Sequence, residues 1–158
     1  MIRAAVSALI ALVMLPASGS SPAWDWPIAD PHPIVRPYIA PETPYSAGHR
    51  GIDIDVGSVT VVHAPSDGVV HFAGTVVDRP VLSIRHPGGL ISSYEPVTST
   101  LARGDLVTRG QVVGEVQAGH CTRPCLHFGV RLDEEYVSPL NYLTGIPRAI
   151  LLPTRYRS

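Results

Sequence analysis

His49-Arg50-Gly51-Ile52-Asp53 and, far downstream, Cys125-Leu126-His127-Phe128-Gly129-Val130 are the two stretches on which the reading of this chain turns. The first sets an imidazole and a carboxylate four residues apart around a glycine. The second places His127 in a short apolar run whose side chains alternate if it is a strand, so that Cys125 and His127 share one face. Imidazole nitrogen and carboxylate oxygen both suit zinc, and three such protein donors with one open position are the pattern of a catalytic zinc site.

Between these stretches, from Ser58 to Arg131, helical periodicity is weak. Val- and Ile-rich runs alternate with turn signals such as Asp67-Gly68, Pro87-Gly88-Gly89 and Arg103-Gly104-Asp105. The expected strands are 59–63, 68–75, 80–86, 90–95, 112–117 and 125–132. About six strands at this spacing predict a mainly β protein, a compact antiparallel sheet or sandwich. Residues 24–44 carry six prolines, including Pro27, Pro37 and Pro44, and read as an extended arm leading into the domain. The domain is expected over 45–144, with residues 145–158 as a C-terminal tail.

The first residues read as an address. Arg3 supplies a basic start, Ala4 to Leu15 is apolar apart from Ser7, and Ser21-Pro22-Ala23 fits a small-x-small cleavage site. The expected signal peptide is 1–23. The apolar run falls short of the roughly 20 residues of a membrane-spanning helix, and an uncleaved anchor is the alternative. The net charge of −1 excludes a nucleic-acid partner held by phosphate neutralisation. Export places Cys121 and Cys125 in an oxidising compartment, where they can form a disulfide; two thiolate ligands are the other reading of that spacing.

Four stretches, HRGIDI (49–54), VVHAPSDGVVHFAG (61–74), RGDLVTRGQVVGEV (103–116) and CLHFGVR (125–131), together resemble the lysostaphin-type, LytM-like zinc metallo-endopeptidases of bacterial cell walls. The likeness continues to about Leu143. It implies a compact antiparallel sheet with a groove, one zinc ion, and the peptide cross-bridges of peptidoglycan as substrate. Carried over position by position, the zinc ligands of that family fall on His49, Asp53 and His127. Two further histidines at the family's reaction centre are replaced here. The first member of its H-x-H pair is Cys125, and the histidine of its Tyr-x-His stretch is Pro96 in Tyr94-Glu95-Pro96.

A peptidase needs a group to move protons beside the metal, worth typically 10²–10⁴-fold. Glu95 is the nearest replacement, although alternation turns it opposite to Pro96 unless the proline bends the strand. His120, on the loop before Cys125, is the other candidate. Asp55 reads as a turn or surface residue, Glu134 and Glu135 as a polar turn, and His63, His71 and His86 as strand histidines rather than ligands. A non-catalytic module of the same fold, one that binds peptidoglycan or regulates another cell-wall hydrolase, is the second reading of function. The stretch from Gly104 to Gln111 also suits a biotinyl or lipoyl carrier, but all 12 basic residues are Arg and a carrier needs a lysine.

Protein recovered from the cell envelope is expected to begin at or near Trp24 by N-terminal sequencing. Met1 retained on that protein would establish an uncleaved anchor.

Overall fold

A computed structural model describes residues 23–43 and 45–145. Residues 1–22 of the expected signal peptide, and 146–158 of the expected tail, lie outside the described residues. Eleven strands run in chain order: β1 Ile34–Arg36, β2 Gly51–Asp55, β3 Val61–His63, β4 Gly68–Val76, β5 Arg79–Arg85, β6 Leu90–Glu95, β7 Val97–Thr98, β8 Leu106–Val107, β9 Val112–Val116, β10 Cys125–Leu132 and β11 Glu135–Val137. The larger sheet has the order β1-β2-β10-β6-β5-β4-β8, with β11 also paired to β10, and the smaller has the order β3-β9-β7. The pairings of both sheets are antiparallel.

The six expected strands form with ends shifted by two residues at most. The additional ones are short, or sit where turn-forming residues crowd them. β2 begins within the HRGIDI stretch and ends one residue beyond it. β1 arises inside the proline-rich arm, which therefore contributes a strand instead of merely leading into the domain. It is an edge strand, the place in a sheet where neighbouring prolines are tolerated. Glu135 opens β11, and the turn is Asp133-Glu134, both at positive φ (48° and 70°). Those angles suit the two-residue hairpin that the Leu132–Glu135 pairing closes.

Period-two alternation on β2 and β10 sorts the two faces of the large sheet. Ile52, Ile54, Leu126, Phe128 and Val130 point one way and are fully buried. In register they continue across the sheet: Ile52 opposes Phe128, Phe128 opposes Tyr94, and Tyr94 opposes Leu82. The small sheet adds Val62, Val97, Val113 and Val116 to the same apolar cluster. Trp24 closes one end. It is 2% exposed, packs against His86 and Tyr142, and exchanges backbone hydrogen bonds with Tyr142 and Thr144.

A polar chain crosses this core. His86 Nδ1–H donates to the Asp67 carbonyl at 2.8 Å, which leaves Nε2 to accept from Ser92 Oγ at 2.7 Å; Tyr94 OH in turn donates to Ser92 at 2.8 Å. Each donor has one acceptor only while His86 is neutral. Burial pushes the His86 pKa below its ordinary value, against the opposing pull of the Asp67 carbonyl and carboxylate. Between that lowered value and the unfolded value of 6.5 the unfolded chain binds the extra proton. Stability is therefore full above 6.5 and falls as pH drops through it. The urea midpoint should fall from about pH 7.5 to about pH 5.5, more steeply than in His86→Gln. The difference in slope between the two proteins is at most about 1.4 kcal/mol per pH unit. Equal slopes would remove His86 as the cause.

Candidate metal centre

The opposite face of the large sheet carries the site. In the pairing of β2, β10 and β6, Asp53 lies directly across from His127, and His127 directly across from Glu95. Three strands distant in sequence thus place three polar side chains in one row on one face. The next row is Gly51, Gly129, Ser93 and Ser83, and its small side chains leave space beside the first. At Gly51 the absence of a side chain is required: a Cβ there would lie 2.5 Å from the Phe128 carbonyl oxygen and 2.8 Å from His127 Nε2.

His49 joins from the segment before β2. Its backbone pairs with Ile39, and its ring Nδ1–H donates to the Pro37 carbonyl at 2.7 Å. That bond commits Nδ1 to the backbone and turns Nε2 inward. It meets Asp53 Oδ1 at 3.0 Å and His127 Nδ1 at 3.2 Å, while His127 Nδ1 lies 2.7 Å from the same carboxylate oxygen. His49 and Asp53 are buried, at 4% and 3% exposure. The His49 ring nitrogen and the Asp53 carboxylate therefore face one another inside the protein, where either a cation between them or the N–H of His127 beside them can satisfy both. Burial raises the Asp53 pKa, but the hydrogen bond from His127 and the charges of His127, His49 and His120 outweigh it and hold the carboxyl below its ordinary value. Asp53 is thus kept as an anionic donor.

His120 enters the same cluster from the loop before β10. Its Nε2 is 3.2 Å from Asp53 Oδ1, and one ligand atom from each of His49, Asp53, His120 and His127 lies within 4.8 Å of the others. Donors about 2.0–2.1 Å from a tetrahedral zinc stand roughly 3.3 Å apart, close to the observed separations. The donor types and their spacing fit zinc.

Glu95 stands on the site face, because its cross-strand partner is His127, whereas Pro96 is buried. Register answers what alternation along β6 alone left open. Its Oε1 accepts from Arg79 at 2.7 Å and lies 3.4 Å from His120 Nδ1. Arg79 carried no signal in the sequence; the antiparallel β5–β6 pairing alone brings it to Glu95. Cys121 and Cys125 are joined by a disulfide, so neither is a thiolate donor. Asp55 accepts from the Gly57 amide in a turn, and Arg85 contacts His71. His127 and Glu95 line an open groove of about 490 Å³ together with Arg50, Ser93, Arg131 and Tyr136. The guanidinium groups of Arg50 and Arg131 lie 5.7 and 5.8 Å from the Tyr136 ring centre.

Among known proteins, the chain is 37% identical over 139 residues to uncharacterised proteins of Mycobacterium tuberculosis and Mycobacterium bovis; the match takes in 84% of this chain. It spans only 56% of those relatives, about half their length. The structure of Helicobacter pylori Csd3 is similar at a TM-score of 0.66 and 26% identity, over 82% of this chain and 37% of that one. The catalytic domain of the antimicrobial peptidase lysostaphin from Staphylococcus simulans shares the fold at a TM-score of 0.61 and 22% identity, over 72% of this chain and 93% of that one. The description of peptidase family M23 matches residues 47–139. That span holds His49, Asp53, Glu95, His120 and His127 together, and by this match the chain belongs to peptidase family M23.

Proposed function

We propose that this protein is an exported zinc metallo-endopeptidase that cleaves peptide cross-bridges of bacterial peptidoglycan. The observation that carries the reading is the convergence of His49 Nε2, Asp53 Oδ1 and His127 Nδ1, with His127 also lining an open groove. Membership of family M23 supports the peptidase class, and the apolar N-terminal run supports export.

Zinc held by these three donors supplies Lewis acidity toward a peptide carbonyl and toward water. The chain's own residues do the rest. Pro37 and Asp53 orient the imidazole of His49. Glu95 is the proton acceptor, at the carboxylate that Arg79 holds in place by its 2.7 Å bond. Arg50, Arg131 and Tyr136 flank the groove, where guanidinium groups suit the carbonyls and carboxylates of a cross-linked stem peptide.

A second reading has a specific observation in its favour. The Cys125 sulfur is bonded to Cys121 and Pro96 carries no ionisable group, so neither of the two family histidine positions can move a proton. A catalytically silent domain that binds peptidoglycan, or regulates another cell-wall hydrolase, would need neither.

Digestion of cross-linked peptidoglycan by the zinc-loaded protein, followed by mass spectrometry, is expected to release uncross-linked muropeptides. Intact peptidoglycan that nevertheless co-sediments with the protein would establish the second reading. Asp53→Ala and His127→Ala are each expected to lose zinc on dialysis, measured by metal analysis, because affinity rests on donor number and charge. Glu95→Gln is expected to keep its zinc and to lower kcat at least about 10²-fold; unchanged turnover would remove Glu95 as the acceptor.

A further inference from the structure

We propose that His120 is a fourth protein donor to the metal, so that the folded site is a closed set of His49, Asp53, His120 and His127. The disulfide-bound loop that carries His120 then has to withdraw before a substrate can approach from that side. The inference rests on the metal reading above and deepens it.

Three observations converge on His120. Its Nε2 stands 3.2 Å from Asp53 Oδ1, a separation like the 3.0 Å of His49 Nε2 from the same oxygen. Its ring is only 15% exposed and lies 5.1 Å, centre to centre, from that of His127. Its other nitrogen, Nδ1, faces Glu95 Oε1 at 3.4 Å. A carboxylate behind the outer nitrogen of an imidazole is the usual device for turning the inner nitrogen toward a metal. Arg79 Nη1, which donates to Glu95 at 2.7 Å, is also 3.4 Å from Nδ1, so both members of the Glu95–Arg79 pair stand behind the outer nitrogen.

The loop is built to deliver the ring. Gly119 has φ +123°, a conformation that side chains disfavour, and turns the chain immediately before His120. The next residue, Cys121, is bonded to Cys125, two residues before His127 on β10. A bridge across so few residues adds little global stability, because loop-closure entropy grows with loop length. Its effect is local: it ties the segment carrying one donor to the strand carrying another. Four protein donors are the pattern of closed zinc sites, whereas catalytic sites keep one position open. The same four residues thus hold the metal firmly and restrict access to it.

Cobalt(II), whose visible absorption reports donor number and type, is the probe. Wild-type protein, disulfide intact, is titrated with cobalt and compared with His120→Ala. The expected result is a cobalt spectrum in His120→Ala with shifted and weakened bands, at least about tenfold weaker metal affinity in chelator competition, and recovery of the wild-type spectrum on adding free imidazole. The Cys121→Ser/Cys125→Ser double variant, which retains His120, is expected to lose affinity in the same direction and serves if His120→Ala does not fold. Wild-type spectrum and affinity in His120→Ala would overturn the fourth donor. Wild-type affinity in the double variant would overturn delivery by the disulfide. Wild-type protein that takes up no cobalt would instead overturn the metal reading on which this inference stands.

Discussion

The antiparallel register of β2, β10 and β6 is the constraint on which the rest depends. Hydrogen bonding between these strands fixes Asp53 across from His127 and His127 across from Glu95. A slip of one residue on β10 would send His127 into the core and bring Phe128 to the groove. The core prevents that slip. Ile52, Phe128, Tyr94 and Leu82 form one continuous apolar row directly beneath the polar one, each fully buried. The chemistry of the upper face is therefore positioned by the packing of the lower.

The site is an electrostatic arrangement that the apolar scaffold sustains at some cost. Burial alone would raise the Asp53 pKa, and the surrounding imidazoles bring it below its ordinary value. His49 is held by a backbone carbonyl that commits one ring nitrogen outward and the other inward. The contrast with His86 is instructive. Both histidines are 4% exposed and both bond to a backbone carbonyl through Nδ1. The inner nitrogen of His86 finds a hydroxyl donor in Ser92, and the ring is satisfied as a core residue. The inner nitrogen of His49 finds a carboxylate oxygen and another imidazole, a set of atoms that a cation can share. The partner of the second nitrogen separates a histidine satisfied in the core from a candidate ligand.

Cys125 is bonded to Cys121 and Pro96 is buried, so neither position offers a group that titrates, while His49, Asp53 and His127 stand together. The polar groups that remain near the donors, Glu95, Arg79 and His120, form a connected network of their own on the same side.

Sequence alone determined the class of fold and singled out the three candidate donors. Period-two runs of Val and Ile between glycine turns can bury an apolar face only as sheet, and HRGID with CLHFG carries residue types and spacing that few chemistries other than metal binding require. It also offered the cysteine pairing as one of two readings of that spacing, and the disulfide bears it out. Only the tertiary structure decided the rest. A proline-rich arm reads as non-sheet until its place at an edge is known, so β1 was not legible. The side on which Glu95 stands depends on β10, more than thirty positions away along the chain, and alternation along β6 by itself gives the face only relative to Pro96. Arg79 and His120 reach the centre through a strand pairing and a loop closure. These long-range contacts have no local pattern, because a sequence encodes the periodicity of each strand but not which strand lies beside it.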